Sequence, residues 1–278
     1  MSELRKARDA DVQALTAFLT AHAPVAMFPL TNLRDHGLGM QSDRAMTFWM
    51  NDPLTDVLGI SAQGMVMPIF TSATVPGIAK ALAGRIVGGV VGAAQACALV
   101  KDSVDFPAAE LDRDEPHFEL DLAQLIMPDV AAYSLVPFTL APREVLIAWR
   151  TAYYIEALDV APVDAPARAI AQVEAALESG THRVLMQGET PLAVTGFNAQ
   201  LPETVMIGGV YTLPELRGQG YAGKALALHL TEARGRGVKR AVLSAANEAA
   251  AKAYERIGFE KMGSFNITIL KNPVTLDG

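Results

Sequence analysis

Between Thr204 and Ala233 the chain changes its hydrophobic period. Thr204-Val-Met-Ile-Gly-Gly-Val-Tyr-Thr212 is an apolar stretch of strand length, whereas Ala222, Ala225, Leu226, His229, Leu230 and Ala233 recur on one face of a helix. The turn between them carries Arg217-Gly-Gln-Gly220. Its glycines allow close approach of the backbone to a ligand. The helix that follows offers unpaired N–H groups and about half a positive charge, a seat for a diphosphate. Local charge favours an anion too: six bases face one acid between Arg217 and Arg240, a net +5 over 24 residues, while the other 254 carry −12.

Around this segment strand and helix signals alternate, which predicts an α/β (α+β) fold of mixed layers. Helices are predicted over 9–21, 29–36, 76–83, 93–103, 143–158, 165–179, 219–234 and 248–257. Strands are predicted at 45–51, within 56–70, at 86–91, in the alternating run 117–125, and at 182–188, 191–199, 203–212 and 238–245, with two more near 259–270. The polar run 112–116 is expected ahead of its strand. Pro128, Pro137 and Pro142 mark 127–144 as the joint between two domains, 1–134 and 135–278.

Hydrophobic residues make up 51% of the 278 and charged residues 19%, enough apolar surface for a sizeable core. A formal charge of −7 argues against a chain that coats nucleic acid or an anionic membrane. Cys97 is the single cysteine, which removes a disulfide framework, and the five histidines show no metal-ligand spacing, so no metal is expected. The first residues lack the apolar core of a signal peptide, and the uncharged run Ile86–Val100 is too short to span a membrane. A cytoplasmic protein without a membrane partner is the expectation. There is no Walker loop and no Gly-x-Ser-x-Gly elbow, and the first-half glycines 84, 88, 89 and 92 lack the dinucleotide spacing Gly-x-Gly-x-x-Gly. His229 and Cys97 read as core residues.

Arg217-Gly-Gln-Gly-Tyr-Ala222 resembles the Gln/Arg-x-x-Gly-x-Gly/Ala motif of the GNAT superfamily of acyl-CoA-dependent N-acyltransferases. Val210-Tyr-Thr-Leu-Pro-Glu-Leu216 resembles the family's fourth strand running into that loop. Asn247 and Ala253-Tyr-Glu-Arg-Ile-Gly-Phe259 resemble its second conserved block. The likeness covers roughly Leu135 to Leu270. It implies a mixed, mostly antiparallel GNAT-type sheet flanked by helices, with acetyl-CoA as co-substrate. A bulge in the fourth strand, for which Gly208-Gly209 are candidates, would open a V against the fifth. Backbone at Val210, Tyr211 and Thr212 would then meet the pantetheine arm, and one N–H would polarise the thioester carbonyl. Arg217, Gly218, Gln219, Gly220, Tyr221, Ala222 and Gly223 would hold the pyrophosphate, with Asn247 completing the cofactor site. Tyr254 would protonate the departing thiolate, as a phenol of ordinary pKa near 10 can at neutral pH. It also reads as a core aromatic on the stripe Ala250, Ala253, Tyr254 and Ile257, and Asn247 as the N-cap of that helix.

Many members place a glutamate five residues before the asparagine, where this chain has Val242. Glu203 and Glu156 are candidate substitutes for the base, and each also reads as a solvated surface acid. The implied reaction is direct transfer of an acetyl group to a primary amine of a small molecule or peptide. The alternative is a non-catalytic regulatory module that holds acyl-CoA. No nucleic-acid partner is expected, and a homodimer is left open. Residues 1–134 resemble a degenerate GNAT-like repeat: Phe28-Pro-Leu-Thr-Asn-Leu33 with His36-Gly37 resembles its opening, and the Gly-rich strand and helix at 86–103 stand for the loop. Lacking the motif, this half is expected not to bind CoA and to help wall the acceptor pocket.

Overall fold

The computed structural model describes residues 2–277, which form two compact units. One contains the chain up to Glu115 together with the residues from Gly263 onward; the other is Pro116–Met262.

In the first unit lie β1 (Arg5–Lys6), α1 (Val12–Ala21), α2 (Ala23–His36), β2 (Met46–Met50), β3 (Asp56–Ser61), β4 (Met65–Phe70), α3 (Ile78–Leu82), β5 (Ile86–Ala93) and α4 (Ala94–Ser103). Strand β6 (Leu111–Asp121) leads into the second unit, which adds β7 (Ser134–Pro137), α5 (Arg143–Ala157), α6 (Ala165–Ser179), β8 (His182–Gln187), β9 (Thr190–Gln200), β10 (Thr204–Tyr211), α7 (Tyr221–Gly235), β11 (Arg240–Ser244) and α8 (Glu248–Glu255). The last strand, β12 (Glu260–Thr275), leads back to the first.

Both units follow the same strand order. In the first, β1-β2-β3-β4 are antiparallel neighbours, β5 runs parallel to β4, and β12 closes antiparallel on β5. In the second, β7-β8-β9-β10 are antiparallel, β11 runs parallel to β10, and β6 closes antiparallel on β11. The sixth strand of each unit is thus supplied from the far side of the expected boundary at 134/135. For that reason the compact units do not divide at the Pro-rich joint. β7 lies inside that joint and pairs with β8.

The topology also relocates the first unit's counterpart of the 217–223 loop. The Gly-rich strand 86–93 occupies the fifth-strand place, so α4 matches α8 rather than α7. The connection from fourth to fifth strand runs instead through α3, five residues long against fifteen in α7. Nearby, the polar run 112–116 belongs to β6 itself. Its acids find partners there: Asp112 accepts from Lys101 Nζ at 2.9 Å, Thr268 Oγ1 at 2.8 Å and Asn266 Nδ2 at 3.0 Å. The two strands expected near 259–270 are one, β12. α2 starts at Ala23 rather than near Pro29, with Pro24 in its first turn where a missing N–H costs nothing.

In the second unit α7 and α8 cover one face of the sheet, with Phe197, Val205, Ile207, Leu226, Leu230, Tyr254 and Phe259 in one cluster. α5 and α6 pack with Leu146, Trp149, Val173, Val184, Val194 and Tyr211 in another. Asn247 caps α8, accepting from Ala250 N at 2.9 Å, and Gly180 in the left-handed region closes α6. In the first unit Cys97 is buried and its thiol pushed up to about 12 by desolvation, a packing residue as expected.

The first unit also buries one carboxylate completely. Asp56 accepts from Ser72 Oγ at 2.7 Å, Thr71 N at 2.9 Å, Ser72 N at 3.0 Å, and Asn51 Nδ2 and Thr55 Oγ1 at 2.8 Å. Burial alone would raise its pKa, but these donors outweigh it and hold the carboxyl below its ordinary value. The folded state therefore binds that proton less tightly than the unfolded chain. Its contribution is complete at neutral pH and fades as pH falls through and below about 4. Asp56→Asn is expected to cost about 2–4 kcal/mol at pH 7 by urea unfolding, with the gap to the wild type narrowing at pH 3.5; a gap independent of pH would refute the assignment.

Candidate active site

β10 and β11 begin as a parallel pair and then part. Thr204, Val205 and Met206 are paired with Arg240, Ala241 and Val242; beyond Met206 no strand pairs with that edge of β10 among the described residues. On its other edge β10 stays with β9, but the register shifts between Met206 and Ile207 and again between Gly208 and Tyr211. Gly209 sits inside the second shift with φ +62°, a conformation that costs an L side chain energy. The strand bulges where its partner leaves it.

At the open end the chain turns through Pro214–Leu216 into the exposed residues Arg217–Gly220 and then α7. Gly220, at φ +75°, is the N-cap, so the first N–H groups of α7 point past it. A small network fixes this loop. Arg217 Nε donates to Thr212 O at 3.0 Å, and its guanidinium pairs with Glu156 on α5 at 2.6 Å. Tyr211 OH donates to Glu156 Oε2 at 3.0 Å. Arg217 holds the Glu156 carboxyl below the usual range, and burial followed by the Glu156 contact pushes the Tyr211 phenol up to about 12. Lys224, in the first turn of α7, lies 4.5 Å over the Tyr133 ring.

The positive stretch around this loop is spent internally. Arg217 is paired with Glu156, Arg236 lies 3.9 Å from Glu232, Lys239 2.5 Å from Glu203 and Arg240 3.5 Å from Glu119, while Arg234 donates to Leu122 O at 3.0 Å. An anion at the loop would be met by backbone amides rather than by this cluster of side chains.

The geometry brings Val210, Tyr211, Thr212 and Arg217–Gly223 together at one end of the sheet. α8 lies beside that end: a Cβ on Gly223 would come 3.5 Å from Ala253 O. Tyr254 follows, 6% exposed, with its ring 6.1 Å from that of Phe259. Asn247 uses its side-chain oxygen on its own helix. Glu203 precedes β10 at the end where β10 and β11 are still paired, roughly 30 Å along the strand from Thr212, and its carboxylate holds Lys239. Glu156 is near the loop but bound to Arg217 and Tyr211. Val242 is fully buried and paired with Met206. His229 stacks on Phe197 at 3.9 Å, buried and kept neutral by desolvation, as a core histidine.

Sequence reasoning missed the polar group over the bulge. A Cβ on Gly209 would lie 2.7 Å from Nη1 and Nη2 of Arg150; one on Gly208 would strike the Asn198 side chain at 2.0 Å, and one on Gly196 the His182 ring at 2.3 Å. Arg150, from α5, is 7% exposed. The signal was present: Arg150 follows Leu146 by four on the buried stripe of an amphipathic helix, where a cation is out of place.

Residues 144–259 match the profile of the acetyltransferase (GNAT) family. No match was found among curated proteins. Among solved structures, a GCN5-related N-acetyltransferase from Sphaerobacter thermophilus is 13% identical with a TM-score of 0.60, over 99% of this chain and 97% of that one. A tandem GNAT protein from the clavulanic acid biosynthesis pathway is 15% identical with a TM-score of 0.56, over 96% and 97%. An acetyltransferase of the GNAT family from Colwellia psychrerythraea is 14% identical with a TM-score of 0.53, over 96% and 100%. At such identities these likenesses speak for the fold, along nearly the whole chain.

The bulge yields a stability test. Gly209→Ala combines a strained φ with a clash against a guanidinium and is expected to cost about 1–3 kcal/mol in urea unfolding. Gly218→Ala, with φ +78° but nothing within 4 Å of its added methyl, should cost less; equal losses would mean that Arg150 yields freely.

Proposed function

We propose, from the premise that this chain carries a domain of the acetyltransferase (GNAT) family at residues 144–259, that it transfers an acetyl group from acetyl-CoA to a primary amine of a small molecule or peptide. The observation that carries the reading is the parting of β10 from β11 after Met206, directly before an exposed loop with left-handed glycines at a helix N-terminus.

Acetyl-CoA supplies an activated thioester. The free edge of β10 at Val210–Thr212 offers main-chain groups to its amide-bearing arm, and amides from Gly218 to Gly223 meet its diphosphate. A main-chain N–H near Val210 donates to the thioester oxygen, most strongly as that oxygen gains charge. Tyr254 gives its hydroxyl proton to the departing sulfur. With Val242 in the glutamate's place, Glu203 at the closed end and Glu156 committed to Arg217, the amine sheds its proton to water rather than to a direct carboxylate. The lone, buried Cys97 fits a cytoplasmic setting.

Calorimetric titration is expected to give one acetyl-CoA site per chain, weakened at least tenfold by Gly220→Val, which forbids the φ of the N-cap and crowds the amides. No binding at millimolar acetyl-CoA would end the reading. Binding without thiol release against a mixed amine panel would favour the acyl-CoA-holding module instead.

Tyr254→Phe is expected to lower kcat roughly ten- to a thousand-fold while leaving acetyl-CoA affinity near normal. Unchanged turnover would return Tyr254 to packing alone.

A further inference from the structure

The buried stripe of α5 carries a charge that no acid among the described residues answers. Arg150 is packed under the bulge and lies 5.0 Å over the Tyr153 ring, and its Nη2 has no hydrogen-bond partner. No carboxylate pairs with it among the described residues; the groups that favour its charge are the phenols of Tyr153 and Tyr154, against a larger opposing effect of burial. Glu156, on the same helix, is taken by Arg217 and Tyr211. A guanidinium withdrawn from water without an anion is unfavourable unless something else repays it.

Its neighbours add no second charge. His182 is buried, with its pKa lowered to about 3 by desolvation and then by Arg150, so it is neutral; its Nε2 also lacks a partner. Asn198, over Gly208, is exposed and uncharged. Three glycines at positions 196, 208 and 209 make room for these three polar side chains. Gly209, which Arg150 touches, is followed by Val210, where the free edge meets the thioester under the reading above.

We propose that the acceptor is an amine bearing a carboxylate close to its amino group, as in an amino acid, and that Arg150 binds that carboxylate. The flat guanidinium fork matches a carboxylate in two parallel hydrogen bonds, and the ligand supplies the missing anion. Consecutive Cα atoms lie about 3.8 Å apart, so an anion held over Gly209 leaves only a few bonds to an amine reacting beside Val210. The inference rests on the acetyl-transfer reading and deepens it.

The test compares α-amino acids with their carboxamides as acceptors, following thiol release from acetyl-CoA. The wild type is expected to prefer the acid of the best pair by roughly 10- to 100-fold in kcat/KM. Arg150→Gln should remove most of that preference, with the loss in KM for the acid, and Arg150→Lys should retain part of it. Amides used as well as acids by the wild type, or an equal fall for both in Arg150→Gln, would overturn the inference and make Arg150 a support for the bulge. The wild-type comparison needs no variant to fold. Failure of every amine despite acetyl-CoA binding would instead bring down the transfer reading, and the inference with it.

Discussion

A strand that loses its neighbour must satisfy its main chain some other way, and this constraint organises the second unit. β10 keeps β9 along one edge, yet beyond Met206 its other edge has no strand beside it. The bulge at Gly209 turns the strand as the edge becomes free, and the network of Tyr211, Glu156, Arg217 and the Thr212 carbonyl then fixes where it leaves. Free edge, bulge and loop are consequences of one event in the sheet, which leaves unpaired main-chain groups on the strand and on the loop at the same end.

Charge plays a smaller part than the basic stretch 217–240 implies. Most of its cations are engaged with acids or carbonyls of the same unit, several of them exposed pairs of the kind that contributes little to stability. What remains for an anion is the dipole and unpaired N–H groups at the start of α7. Arg217 serves the loop by tying Thr212 O to Glu156, which makes this motif arginine a brace.

Much of this was legible in the sequence because it depends on local rules. The switch of period between Thr212 and Ala222 sets strand and helix, the glycines at 218 and 220 set the turn, and Asn247 and Gly180 mark helix ends in their expected places. The bulge was implied by the family resemblance, with Gly208-Gly209 as its candidates, and it falls there. The parts that were not legible depend on partners far away in sequence. β6 was misjudged because Asp112 and Asp114 find Asn266, which no local pattern reveals. Glu203 was offered as a base by residue type, whereas the direction in which β10 and β11 part decides its distance from the loop. Arg150 was overlooked because a single cation on an apolar stripe gains meaning only once Gly209 is seen beneath it.

The exchange of final strands follows from the same dependence on distant partners. β5 requires β12, which pairs Ala93 with Phe265 and Val90 with Thr268; without it, a long apolar edge of the first unit would stand open. Likewise β11 requires β6, from Ser244 against His117 to Arg240 against Asp121. Closing so long a loop is thermodynamically mild, since each doubling of its length adds only about 0.6 kcal/mol. The kinetic cost is larger, because pairings distant in sequence form late. A cut near residue 134 would therefore separate each unit from the strand that closes its sheet, although it falls in a Pro-rich segment that looks like a linker. The units are compact in space without being consecutive in sequence, and the reason is the hydrogen-bonding demand of β5 and β11.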